Sequence, residues 1–317
     1  MKVRIYLLVL ILVVALGCSE KPRNSQAEPG KNPAELSLVK PLIPFHGRIV
    51  FQSDVSGHNE IYLLTSDGLK KMTEHPWRSE YPLWSPDGER IAFTANPRDN
   101  YDVFVMNEDG TNIIPVTDSP RDEFEMAWTP DGKKIAYTEM RKKGIFKSYT
   151  LWMIDLLSKR NEKIIPDFPG STALPNFSPK APLMAFTGGR MRGWDVFVFD
   201  LEKREYKSLT EGGRGCRPRF SKDGEKIVFV SSRRDGKSDI SIMNPDGTGE
   251  TRLTEGMKGY NYFPAWSPDG KWIVFCSNAK SHYAQEGDWK LYLVNVATKE
   301  VTLLLDAPGR AVFPDWN

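Results

Sequence analysis

Pro82-Leu83-Trp84-Ser85-Pro86-Asp87-Gly88-Glu89-Arg90-Ile91-Ala92-Phe93 decides the fold, because most of it comes back along the chain. Its Pro-x-aromatic opening recurs as Pro175-x-Phe177, Pro218-x-Phe220, Pro264-x-Trp266 and Pro314-x-Trp316, and with Met for Pro as Met126-x-Trp128. The aromatics are spaced by 44, 49, 43, 46 and 50 residues. A period of about 40–50 residues built from short β segments marks a propeller, with one blade per repeat.

Each part of the repeat has a local reason. Ser85-Pro86-Asp87-Gly88 returns as Thr129-Pro130-Asp131-Gly132 and Ser267-Pro268-Asp269-Gly270, and in weaker form as Ser221-Lys222-Asp223-Gly224. Proline presets φ at the second position of a tight turn and glycine takes the positive φ that follows. Ser178-Pro179-Lys180-Ala181 lacks both Asp and Gly, so its turn is predicted to be the least regular. Strands such as Ile91-Ala92-Phe93 and Val103-Phe104-Val105-Met106 are apolar on consecutive residues, which predicts burial on both faces. Blades stacked face to face provide that burial. A second turn, Asp109-Gly110-Thr111 or Asp246-Gly247-Thr248, leads to a fourth strand ending near Thr117 or Thr254.

The Pro-x-aromatic segment is predicted to be the innermost strand, because a sheet edge tolerates proline and its aromatic can wedge between blades. The chain stops at Trp316-Asn317, where the tight turn should begin, and Gly47-Arg48-Ile49-Val50-Phe51 starts where that turn should finish. The expected architecture is all-β: a six-bladed β-propeller with four antiparallel strands per blade. Its ring closes when the C-terminal strand joins the N-terminal blade. The whole grammar, over residues 47–317, resembles the TolB-type propeller repeat family. That resemblance implies a propeller used for binding. Translocation protein TolB carries an α/β domain ahead of its propeller, whereas here 28 residues separate Cys18 from the propeller. A propeller without that domain is expected.

Lys2 and Arg4 precede the apolar run Ile5 to Leu16, which is too short to span a bilayer and reads as a signal segment, residues 1–17. Ala15-Leu16-Gly17-Cys18 resembles a bacterial lipobox, making Cys18 the lipidation site and the mature N-terminus. Residues 18–46, interrupted by five prolines, read as a flexible tether reaching about 30 Å. Without Lys2 and Arg4 the remainder carries 41 basic and 41 acidic residues, a balance that argues against nucleic acid as a partner. Cys216 and Cys276 read as buried thiols, since one pair is no disulfide framework in a domain this large.

Four arrangements in the sequence bear on chemistry. His58, His75 and His282 fall on loops of one face at the closure. Similar propellers such as oligogalacturonate lyase hold metal through histidines, but these three have no ligand spacing, so no metal and no cofactor are expected. No Gly-x-Ser-x-Gly elbow occurs, which excludes the hydrolase chemistry attached to the similar propellers of prolyl oligopeptidase relatives.

Thirdly, the loops leading from each outermost strand to the next blade begin with Glu74, Asp118, Asp167, Glu211, Glu255 and Asp306. Five carry a base three or four residues later: Arg78, Arg121, Arg214, Lys258 and Arg310. These bases are candidates to hold an anionic ligand at the channel mouth, or else each pairs with the acid of its own loop. Fourthly, loops between the second and third strands of three successive blades carry Arg141, Lys142, Lys143 and Lys147, then Arg190 and Arg192, then Arg233, Arg234 and Lys237. Lys142, Arg192 and Arg234 represent this one-sided arc. The expected function is a non-enzymatic envelope lipoprotein, monomeric, whose propeller binds an envelope protein or an anionic envelope polymer. A carbohydrate-active enzyme, or an accessory subunit of a peptidase or transporter, is the alternative.

Overall fold

The computed structural model describes residues 40–190, 193–232, 235–279 and 288–317, and these form six four-stranded antiparallel sheets arranged as a β-propeller. The inner strands are Ala311–Trp316 in blade 1, Ser79–Trp84 in blade 2, Asp122–Trp128 in blade 3, Ser171–Phe177 in blade 4, Gly215–Phe220 in blade 5 and Asn261–Trp266 in blade 6. They touch one another in that order around the axis. Blade 1 is the composite one: Ala311–Trp316 pairs antiparallel with Ile49–Ser53, placing Trp316 opposite Ile49 and Ala311 opposite Ser53. The Pro-x-aromatic segment is the inner edge in every blade, as its proline content predicts.

Burial follows the consecutive apolar runs. Ile91, Ala92, Phe93, Val103 and Met106 are all inaccessible to solvent, and Phe93 stacks on Phe104 with centroids 5.8 Å apart. The inner-strand tryptophans wedge between blades. Trp128 of blade 3 donates to the carbonyl of Leu83 in blade 2, and Trp266 of blade 6 donates to that of Arg219 in blade 5, at 3.4 and 3.1 Å.

Antiparallel alternation puts all tight turns on one face of the disc, here the turn face. The loops from second to third strand, and from outer strand to next blade, lie on the opposite face, the mouth face. On the turn face, the hydroxyl of Ser267 or Thr129 donates to Asp269 or Asp131 at 2.7 and 2.6 Å. Each carboxylate in turn accepts the backbone N–H of Lys271 or Lys133 at 3.1 Å. That hydroxyl is the main reason these two carboxyls sit below the usual carboxylate range. In blade 4 the Asp is missing, and the Lys180 and Ala181 N–H groups reach Ser178 Oγ instead, at 3.4 and 3.2 Å, while the Leu183 N–H folds back on the Ala181 carbonyl.

On the mouth face the Leu-Thr end of the repeat acquires a role. The N–H groups of Ile61, Val103, Val196 and Ile240, at the start of third strands, each donate to a threonine at the end of the outer strand: Thr73, Thr117, Thr210 and Thr254, all at 2.9 Å. Thr73, Thr210 and Thr254 then donate to Glu60, Asp195 and Asp239. The mouth-face loops are therefore clamped at their roots.

Residues 40–46 continue the sequence tether, yet their end is held. Leu42 N–H bonds to the Leu304 carbonyl on the rim of blade 6, Phe45 is buried edge-on against Trp316, and the His46 carbonyl accepts Trp316 Nε1 at 2.8 Å. Cys276 is a free, fully buried thiol, and that burial pushes its pKa up. Cys18, and the tether as far as residue 39, lie outside the described residues.

Candidate functional site

Every inner strand breaks at one place. Tyr81, Glu125, Leu174, Arg217, Phe263 and Phe313 have φ between 53° and 58°, and each immediately precedes the Pro of the repeat or its Met126 counterpart. The registers show why. In blade 2, Glu80 pairs with Thr94 and then Leu83 with Ala92, so Tyr81 and Pro82 together oppose Phe93 alone. This is a β-bulge, and a bulge re-aims side chains and leaves a position where the missing proline N–H costs nothing. A left-handed residue with a bulky side chain costs about 1–2 kcal/mol. Its repetition six times around the axis marks the channel as the specialised part of the fold.

The re-aimed side chains close the channel. Phe263 and Phe313 lie with centroids 3.8 Å apart, Tyr81 packs on Phe313 at 4.2 Å, and the Arg217 guanidinium sits 4.2 Å over the Phe263 ring. Arg217 also reaches Glu125 at 3.3 Å, from blade 5 to blade 3. One layer toward the turn face, Arg219 of blade 5 pairs with Asp315 of blade 1, whose other oxygen accepts the Trp84 N–H at 2.8 Å. Burial raises the pKa of Tyr81 well above that of a free phenol. The space left between these groups and Pro82, Leu174, Asn176 and Pro264 is about 50 Å³, room for a few waters. The sequence carried a signal for this layer, the residue before each Pro-x-aromatic, but a bulge is invisible in a strand pattern.

The five channel-mouth bases fall on one face, and they differ in what they touch. Arg121 is exposed and binds Glu139 on the second strand of its own blade at 2.8 Å. Arg310 grips Asp54 through Nε and its own N–H, at 2.7 and 2.8 Å. Both reach past the acid heading their loop, because Asp118 is taken by Arg98, and Asp306 by Lys290 at 3.1 Å. Arg214 is exposed and donates to the Glu211 carbonyl, half-buried Arg78 lies beside Asn96, and Lys258 is exposed.

Of the basic arc, Lys142 stands on the blade 3 hairpin, 3.7 Å from Asp122, whereas Arg192 and Arg234 lie outside the described residues. His58 and His75 do come together, through a 2.7 Å bond from the His58 ring to the His75 carbonyl and a shared approach to buried Glu60. No group of three metal-ligating side chains forms among the described residues, and His282 lies outside them.

A family model described as the TolB beta propeller domain matches residues 94–285. The chain belongs to that family. Protein TolB homolog from Chlorobium luteolum is 32% identical over 276 residues, which is 86% of this chain and 60% of that protein. Dipeptidyl-peptidase 5 from Porphyromonas endodontalis is 26% identical over 251 residues, 74% of this chain and 35% of that protein. The chain thus spans roughly a third to three fifths of the length of these relatives. The crystal structure of TolB from Acinetobacter baumannii superimposes with a TM-score of 0.73 at 19% identity, covering 85% of this chain and 66% of the other. What is shared with that TolB structure is the fold.

Proposed function

We propose that this TolB-like propeller is an exported, lipid-anchored binding platform without catalytic activity, which holds an envelope protein or an anionic envelope polymer on its mouth face. The filled channel carries the reading. A centre filled by Arg217, Phe263, Phe313 and Tyr81, beside loops tied at their roots through threonine and carboxylate, leaves only about 50 Å³ of free space in the channel. Small-molecule sites occupy about 300–1,000 Å³ of concave space. Glu125 and Asp315 each face an arginine in the channel, an arrangement suited to joining blades and unsuited to the acid and base pair of a lyase or hydrolase. The anchor rests on Cys18 and its lipobox-like context, with the protein facing the periplasm or cell surface.

A photo-crosslinking residue at Lys258 or Arg214 should capture a defined envelope component in cells. The same residue at Leu157, exposed on the turn face, should capture nothing. Equal capture at both faces, or turnover of a glycan by the purified protein, overturns the reading. The similarity to Dipeptidyl-peptidase 5, confined to 35% of that protein, favours as second reading a subunit that supports a separate peptidase. In that case the captured component is a hydrolase.

A further inference from the structure

The second and third strands of blade 3 are the longest described in the propeller, Lys134–Lys143 and Phe146–Asp155. Their first seven pairs from the open end are those of an ordinary blade, and the last three, Arg141 with Ser148, Lys142 with Lys147 and Lys143 with Phe146, are exposed on both strands. At about 3.4 Å per residue the ribbon stands roughly 10 Å clear of the mouth face. Gly144, with φ of 61°, makes the two-residue turn with Ile145. At this tip Ile145 is 91% exposed and Phe146 74% exposed.

Two features of the tip are unfavourable for a ribbon meant to stand in water. Large apolar side chains occupy its summit, where none of the described residues covers them. Lys142 lies directly opposite Lys147, a like-charge cross-strand pair that destabilises a hairpin. No acid occurs between Glu139 and Asp155, and Lys143 and Lys147 make no ion pair among the described residues. Both features become favourable at one kind of surface. An anionic bilayer accepts apolar tips at its headgroup boundary while its charge neutralises flanking lysines. A protein partner for two protruding side chains needs a matching cavity, whereas a fluid interface needs none.

We infer that the blade 3 hairpin, Arg141 to Ser148, is a membrane-contact element that inserts Ile145 and Phe146 into the headgroup region of anionic bilayers, with Lys142, Lys143 and Lys147 on the lipid phosphates. The contact uses one mouth-face loop, rests on the reading of this protein as an envelope protein, and does not require the Cys18 anchor. It sits on the blade diametrically opposite blade 6, whose rim holds Leu42.

The test reads the tip itself, so that binding through any other part of the chain does not register. An environment-sensitive fluorophore is placed on Ile145→Cys in the full chain, with Leu157→Cys, on the turn face of the same blade, as the reference. Vesicles containing phosphatidylglycerol should raise and blue-shift the Ile145 signal at least threefold, with little effect at Leu157 and with loss of the response in high salt. Phosphatidylcholine vesicles should leave both unchanged, and Lys143→Glu with Lys147→Glu should weaken the response at least tenfold. An Ile145 signal that ignores anionic vesicles, or that matches Leu157, overturns the inference. Capture of an acidic protein by the tip without any vesicle response also overturns it, and reassigns the hairpin to protein docking.

Discussion

Arg217 and Glu125 meet at 3.3 Å across the channel although their blades are not neighbours, blade 4 lying between them. Both residues stand at the bulge and both are nearly buried, so the pair joins blades 3 and 5 through the centre of the ring. Losing one partner of such a pair typically costs about 3–5 kcal/mol, because the other charge is left in a poor environment. Arg217→Met should approach the upper end of that range, since it also strips the cation from the Phe263 ring. Glu125→Gln should cost less, because Arg217 keeps Phe263. Urea unfolding of the two variants checks the order; equal midpoints would show that the aromatic contact contributes nothing.

The terminal strand predicts a disproportionate loss. Val312, Phe313 and Trp316 are buried, and truncating one large core side chain alone costs about 3–5 kcal/mol. Removing residues 312–317 discards three of them, together with Asp315, which holds Arg219 and the Trp84 N–H. Their combined loss is comparable to the roughly 5–15 kcal/mol total stability of an ordinary domain. The truncated protein is expected to lose cooperative thermal unfolding, and a melt within two degrees of wild type would disprove ring closure by this strand.

The sequence displayed the ring but only the outline of its centre. Pro82-x-Trp84 and its copies report blade number, inner-strand position and closure, because proline, glycine and consecutive apolar residues act locally. The channel filling depends on where Tyr81, Arg217, Phe263 and Phe313 point, and that is set by one inserted residue per strand, a change of register that no periodicity records. Likewise the alternation of acids and bases at the mouth suggested pairs within each loop. Arg121 and Arg310 instead reach across to Glu139 and Asp54, because charges distant in sequence lie closer across a blade than along a loop. The exposure of Ile145 and Phe146 depends on the ribbon outrunning its blade, which strand propensity alone does not measure.

Glu123 makes stability depend on pH. It is buried at the mouth end of blade 3 near Asp102 and Glu139, with hydroxyls of Thr117 and Ser119 as partners, and burial above all raises its pKa from 4.5 to about 7. The folded state therefore binds this proton more tightly than the unfolded chain does. Its contribution is fully present below about pH 4.5 and is lost as pH rises through 7, a difference of up to about 3 kcal/mol. The melting temperature of wild type should fall between pH 5 and pH 8. Glu123→Gln, which imitates the protonated form, should flatten that fall. Parallel curves for the two proteins would assign the pH dependence elsewhere.

The mouth bases should separate into two groups when each is reversed in charge. Arg310 holds Asp54 with two bonds, and both side chains are largely sheltered, so it fastens the start of the last strand to the loop after the first. Arg310→Glu places like charges together at the ring closure and should destabilise the fold by about 3 kcal/mol or more. Lys258 and Arg214 are exposed, and the Arg214 guanidinium donates to the Glu211 carbonyl while only its backbone N–H meets Asp195, so Lys258→Glu and Arg214→Glu should shift stability by less than about 0.5 kcal/mol. If an anionic partner uses the mouth, those two variants should lose its capture while melting like wild type, and the loss should resemble the effect of high salt on the unmodified protein. Retained capture in the double variant would remove the channel-mouth bases from the binding surface and leave the clamped loops as scaffolding alone.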